Sequence, residues 1–157
     1  MNWKLNTVAV AVSIFGAGCD DHGHEDEKPG ADACEHLEGG PIRAVTAGAD
    51  ASAAVALTDE HTRYDMTLSG PGFASYASAQ DAEYYFYFDS AVTLTVRDGA
   101  GTVVAAEMQA TSDADCALVK SMYVFDLGVG SYTLEVAPGG SETLVQLVFF
   151  EAGGHEH

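Results

Sequence analysis

A chain of 157 residues has room for one domain and short flanks, and its 47% hydrophobic and 10% aromatic content is that of a protein with a real core. Six Lys and Arg against 24 Asp and Glu give a net charge of −18. A surface that negative repels phosphate backbones and argues against nucleic acid as a partner, while it attracts cations and basic surfaces or simply keeps the chain soluble.

The amino-terminal stretch 1–18 has the three parts of a signal peptide. Lys4 and the amino terminus supply positive charge, Val8 to Phe15 form a short apolar run, and the small residues Gly16, Ala17 and Gly18 follow. The run is far shorter than the roughly 18 apolar residues that a spanning helix needs, so it reads as a targeting segment. Its end, Gly16-Ala17-Gly18-Cys19, resembles the lipobox of bacterial lipoproteins, with Gly16 standing where that family has an aliphatic residue. The resemblance implies that Cys19 receives diacylglycerol, becomes the new amino terminus and anchors the chain to a membrane in the bacterial cell envelope. It leaves open which membrane, and whether the protein faces the periplasm or the cell surface.

Three cysteines are present, and lipid on Cys19 leaves Cys34 and Cys116 as an even pair. A disulfide between them would close a loop of about 80 residues and contribute roughly 4 kcal/mol in the chain-entropy model. Residues 19–40 are rich in acids and poor in anything to bury, which predicts a disordered acidic tether. The expected folded domain is 41–152, followed by a histidine-containing tail at 153–157.

Beyond Pro41 the pattern becomes short β-type runs between turn residues, with strands expected near 42–47, 53–58, 61–69, 82–89, 91–97, 102–108, 117–127, 131–137 and 143–151. Val92, Leu94 and Val96 alternate with Thr93 and Thr95, as a strand with one buried face requires. Asp98 to Gly101 and Pro138 to Gly140 read as hairpin turns. In the aromatic run Tyr84 to Phe88, alternation sends Tyr85 and Tyr87 away from Tyr84, Phe86 and Phe88, as a ligand platform or a second buried face. The near-continuous apolar strand Leu144 to Phe150 favours burial on both faces. No segment sustains a helical period. The expectation is an all-β protein, an antiparallel β-sandwich. The stretches 84–107 and 122–139, an aromatic strand, a D-G turn and the ending Gly-Ser-Tyr-Thr-Leu-Glu-Val, resemble the bacterial pre-peptidase C-terminal domain and related jelly rolls. That resemblance implies a jelly-roll-like sandwich serving as an accessory or binding module.

No G-x-S-x-G elbow, H-E-x-x-H helix or Walker-type loop occurs, so no catalytic reading is built from the residues. The six histidines carry the one chemical pattern. His22 and His24 lie in the tether, His36 beside Cys34, and His155 and His157 at the carboxyl end. The His-x-His pairs put two imidazoles on one side of an extended chain, and imidazole with nearby carboxylates suits zinc or copper. The candidate metal ligands are therefore His22, His24, His36, His155 and His157, against the plainer reading of solvated tails. His61, alone at a strand start, reads as a structural histidine, and Asp113 and Asp115 as a turn before a calcium ligand set. The leading functional expectation is a non-catalytic, lipid-anchored envelope protein that binds a divalent transition metal. The alternative is a sandwich that binds an envelope polymer or protein through an exposed sheet face.

Overall fold

The computed structural model describes residues 28–152. Eleven strands form two sheets packed face to face. They are β1 (Ile42–Thr46), β2 (Val55–Leu57), β3 (Arg63–Thr67), β4 (Gly72–Ser78), β5 (Ala82–Phe88), β6 (Val92–Arg97), β7 (Val103–Val104), β8 (Met108–Ala110), β9 (Ser121–Leu127), β10 (Gly130–Pro138) and β11 (Leu144–Glu151). The larger sheet has the order β1-β3-β11-β5-β9-β8 and the smaller β2-β4-β10-β6-β7. This is the expected β-sandwich, but its sheets are mixed rather than wholly antiparallel. β1 runs parallel to β3 and β2 parallel to β4, each pair at a sheet edge. The first four strands alternate between the sheets, and a chain that returns to its own sheet after visiting the other arrives in its original direction.

The same habit corrects one expected hairpin. Among the described strands only β6–β7 and β8–β9 pair with their chain neighbour. Asp98 closes the first of these turns, its carboxylate accepting the N–H groups of Ala100 and Thr102, with Gly101 at φ +82°. Pro138 to Gly140 does not close a hairpin. It carries the chain from β10 in one sheet to β11 in the other.

Period-two alternation fills the space between the sheets. Tyr84, Phe86 and Phe88 of β5, Tyr123 and Phe125 of β9, and Leu147 and Phe149 of β11 face Ala74, Leu94, Val96, Leu134 and Val136 of the smaller sheet. Strand β4 is a finding the sequence did not announce, because its core face is Gly72, Ala74, Tyr76 and Ser78. At Gly72 there is no room for a side chain: a Cβ would overlap the side chains of Ala47 and Leu68.

The larger sheet is buried on its outer face as well. Tyr87, Met122, Val124, Val148 and Phe150 form a second apolar cluster with Ala33, Leu37, Cys116 and Val119. Tyr87 thus belongs to a second buried face, and β5 and β11 are two-sided as their apolar runs imply. Ala33 and Leu37 come from a helix, α1 (Pro29–Gly39), where the sequence pattern predicted tether. Pro29 opens it, Asp32 lies in its first turn where the helix dipole favours a negative charge, and Gly39-Gly40 stop it. At its far end Arg63 donates to the carbonyl of Leu37 at 2.8 Å. Eleven residues are too few for a stable helix alone, so tertiary contacts hold it. The expected disulfide is formed: Cys34 is bonded to Cys116, with 5.2 Å between their Cα atoms. From residue 29 onward the expected tether is part of the folded unit, and residues 19–27 lie outside the described residues.

Candidate metal centre

Helix α1 and the turn before β3 build the candidate site together. Asp32 and His36 are four residues apart on α1 and so share one helix face. The third member, His61, lies in the 58–62 turn, which a set of polar contacts fixes in place. The N–H groups of Thr58 and Asp59 donate to the Tyr64 hydroxyl at 3.0 and 2.9 Å. Glu60 accepts from the Tyr76 hydroxyl at 2.7 Å and from the Glu151 N–H at 3.1 Å. The His61 N–H donates to the Phe149 carbonyl at 3.1 Å.

His61 has φ +53°, the left-handed region, where a side chain crowds its own backbone. Strain of this kind persists where the surroundings impose it, and it clusters at functional sites. Its effect here is to lay the imidazole flat on Phe150, with ring centroids 4.9 Å apart and planes 6° from parallel, and to turn it toward α1. The His36 ring lies 5.1 Å away.

One carboxylate faces both imidazoles. Asp32 Oδ1 is 3.3 Å from His36 Nε2, and Asp32 Oδ2 is 3.3 Å from His61 Nδ1. All three side chains are half-buried, and one donor atom from each lies within 4.8 Å of the other two. Donors around a tetrahedral zinc, each about 2.0–2.1 Å from the ion, sit roughly 3.3 Å apart. The two observed contacts are of that length but run to different oxygens of Asp32, so the side chains must shift to bring one carboxylate oxygen and both imidazole nitrogens around a single ion. His36 Nδ1 is buried and has no hydrogen-bond partner among the described residues. The nitrogen that faces the Asp32 carboxylate, and so the cluster, is Nε2.

The donor set is chemically selective. Two imidazole nitrogens and a carboxylate suit zinc, copper or nickel and disfavour calcium or magnesium, which take oxygen ligands. The same two-histidine, one-carboxylate set with open positions also suits iron(II). The negative field of the whole chain raises the local concentration of any cation.

Of the residues picked out from sequence, His36 is in this cluster. His22, His24, His155, His157 and the lipidation residue Cys19 lie outside the described residues. His61, read as structural, is a member, and Asp32 was not singled out at all. The spacing Asp32-x-x-x-His36 was the available signal, but it carries meaning only once the segment is known to be helical. Asp113 and Asp115 form a turn: Asp113 accepts the Asp115 N–H at 2.8 Å, and Asp115 pairs with Lys28. A Cβ on Gly30 would overlap the Asp113 carboxylate, which would have to move to admit it.

The fold and the cluster together define a two-sheet β-sandwich with an Asp/His cluster that could hold a metal ion, between a disulfide-bonded helix and the turn before β3. No protein-family model matches the chain, and no curated protein matches it either. Among the described residues no helix is long and apolar enough to cross a membrane.

Proposed function

We propose that this protein is a non-catalytic, lipid-anchored module of the bacterial cell envelope that captures a divalent transition metal, zinc or copper, at Asp32, His36 and His61. The observation that carries the reading is the convergence of three donors from two separate elements, one of them held in a left-handed backbone conformation. The Gly16-Ala17-Gly18-Cys19 sequence supports the anchor and the exported location. The sequence offers His22, His24, His155 and His157, outside the described residues, as further candidate imidazoles.

Calorimetric titration of the full chain with zinc and with copper tests this. Binding with a Kd below about 10 µM is expected, tighter at about pH 7.5 than at about pH 5.5 because ligand imidazoles must be neutral. Asp32→Asn and His36→Gln should each weaken it at least tenfold, and deletion of 153–157 should weaken it less. Tight binding that survives both substitutions would place the metal elsewhere, and no binding below about 100 µM would end the reading.

A second reading has its own observation. The outer face of the smaller sheet holds a groove of about 300 Å³ lined in part by Ala51, from the short 3-10 turn Ala51–Ala53, and by Phe73, Ser75, Arg97, Thr133 and Glu135. The aromatic residues Phe73 and Tyr132 among hydroxyls and charged groups suit an envelope polymer, and binding of a soluble glycan abolished by Phe73→Ala would favour it.

A further inference from the structure

We infer that the Cys34–Cys116 disulfide gates the metal centre: while it is closed α1 holds Asp32 and His36 against His61, and its reduction releases them. The inference rests on the metal-binding reading of that cluster and adds its regulation.

The geometry is that of one helix with two tasks. Cys34 lies between Asp32 and His36 in sequence, on the same eleven-residue helix. Ala33, Cys34 and Leu37 pack into the apolar cluster over the larger sheet, while Asp32 and His36 meet His61. Two ligands therefore ride on α1 and the third is fixed to the body of the sandwich, so the site exists only while the helix is docked.

The other contacts that dock α1 are unevenly placed. Its C-terminal end is held by the Arg63–Leu37 hydrogen bond and by the short link through Pro41, whose carbonyl accepts the Arg63 N–H at 2.8 Å. The end that carries Asp32 has Gly30 against Asp113, the small side chain of Ala33, and an exposed Lys28–Asp115 pair of the kind that contributes little. Both Asp113 and Asp115 lie in the loop that carries Cys116, so the disulfide joins the helix to the very segment that receives its first turn. Opening the bond loosens both partners of that contact, and an isolated helix of this length does not persist.

Reduction needs two equivalents of a thiol. Cys116 is buried and Cys34 is partly exposed, so the first thiolate attacks the Cys34 sulfur. A mixed disulfide forms there, and Cys116 leaves as a thiolate that takes up a proton. The second thiol attacks the reductant's sulfur, forming the reductant's disulfide and releasing Cys34 as a thiol. Two electrons pass to the cysteine pair. By thermodynamic reciprocity, if reduction weakens metal binding by some factor, bound metal opposes reduction by the same factor.

The test uses the full chain with zinc and a chromophoric competitor. Zinc affinity is measured on the oxidised chain, on the chain reduced with a phosphine, and on a Cys34→Ser/Cys116→Ser variant that has neither thiol. The reciprocal measurement is the reduction equilibrium in glutathione buffers with and without zinc. The expected result is affinity at least tenfold weaker in the reduced and doubly substituted chains, and a reduction equilibrium shifted by the same factor when zinc is bound. Affinities within twofold across the three forms, or a reduction equilibrium that zinc does not move, overturn the gate while leaving metal binding intact. Absence of zinc binding in the oxidised chain overturns the metal reading and the gate together. If circular dichroism shows the double variant unfolded, the phosphine-reduced chain and the glutathione equilibrium decide.

Discussion

The left-handed conformation of His61 allows its backbone and its imidazole to be tested separately, by comparing His61→Gly with His61→Ala. At φ +53° a Cβ costs about 1–2 kcal/mol, and glycine avoids that cost. Glycine also frees the unfolded chain, which returns about 0.5–1 kcal/mol of the gain. The glycine variant should therefore be more stable than the alanine variant by about 0.5–1 kcal/mol, the reverse of the order in ordinary helix or strand. Both lose the stacking on Phe150, which contributes about 0.5–1.5 kcal/mol. Alanine should fall below wild type by about that amount, and glycine should sit close to wild type. Urea unfolding of the metal-free chains, followed by circular dichroism, reads these differences. Zinc titration reads the other half: with one of three donors gone, both variants should bind at least tenfold more weakly, a loss of about 1.4 kcal/mol or more. Zinc should accordingly raise the melting temperature of the wild type and do so far less in the variants. An alanine variant as stable as the glycine variant would refute the backbone argument. Zinc affinity within twofold of wild type in both would refute the role of His61 as a ligand.

Leu37→Ala, at a residue only 2% exposed, should cost about 2–3 kcal/mol in urea unfolding and weaken zinc binding with it, because the same helix carries two donors. A stability loss with unchanged zinc affinity would uncouple helix docking from the site. The Tyr87 hydroxyl is pushed above its ordinary value of 10.0, first by burial and then by Asp113, Tyr85, Asp32 and Asp115. Its folded value lies above the unfolded one, so the stability it contributes is complete below about pH 10 and is lost as pH rises beyond that. Tyr87→Phe should make the urea midpoint fall less steeply in that alkaline range, and an unchanged slope would count against the buried phenol. Membrane fractionation of the host expressing Cys19→Ala should find the chain no longer lipidated, and a native amino terminus at any residue other than an acylated Cys19 would remove the anchor from the proposal.

Much of the sandwich was legible because strands announce themselves locally. Val92, Leu94 and Val96 alternate with threonines, and Asp98-Gly99-Ala100-Gly101 has the chemistry of a tight turn, so β6, its turn and β7 followed from a dozen residues. Cys34–Cys116 was legible by count. Strand β4 was not, because Gly72, Ala74 and Ser78 on its core face carry little β-signal of their own, and at Gly72 the close approach of Ala47 and Leu68 leaves no room for a side chain. Nor was the crossover at Pro138 to Gly140, since a turn sequence fixes a change of direction and not the sheet in which the next strand finds its partners.

The sequence by itself determined a β-sandwich, a two-sided strand at Leu144–Phe150, a disulfide, and an acidic chain with histidines at intervals, and it left Tyr85 and Tyr87 between a ligand platform and a second buried face. Only the tertiary structure decided that residues 29–39 are helical. Ala33 and Leu37, with the disulfide, suffice to dock a helix onto a sheet, yet two apolar positions among acids are too few to show a period. The site depended on that decision. Asp32 and His36 share a face only in a helix, and His61, 25 residues further on, reaches them only because the 58–62 turn is tied to β11 and carried through a left-handed residue. A metal centre assembled from two elements has no local spacing to read, because its ligands are made neighbours by the packing of the chain and not by its order.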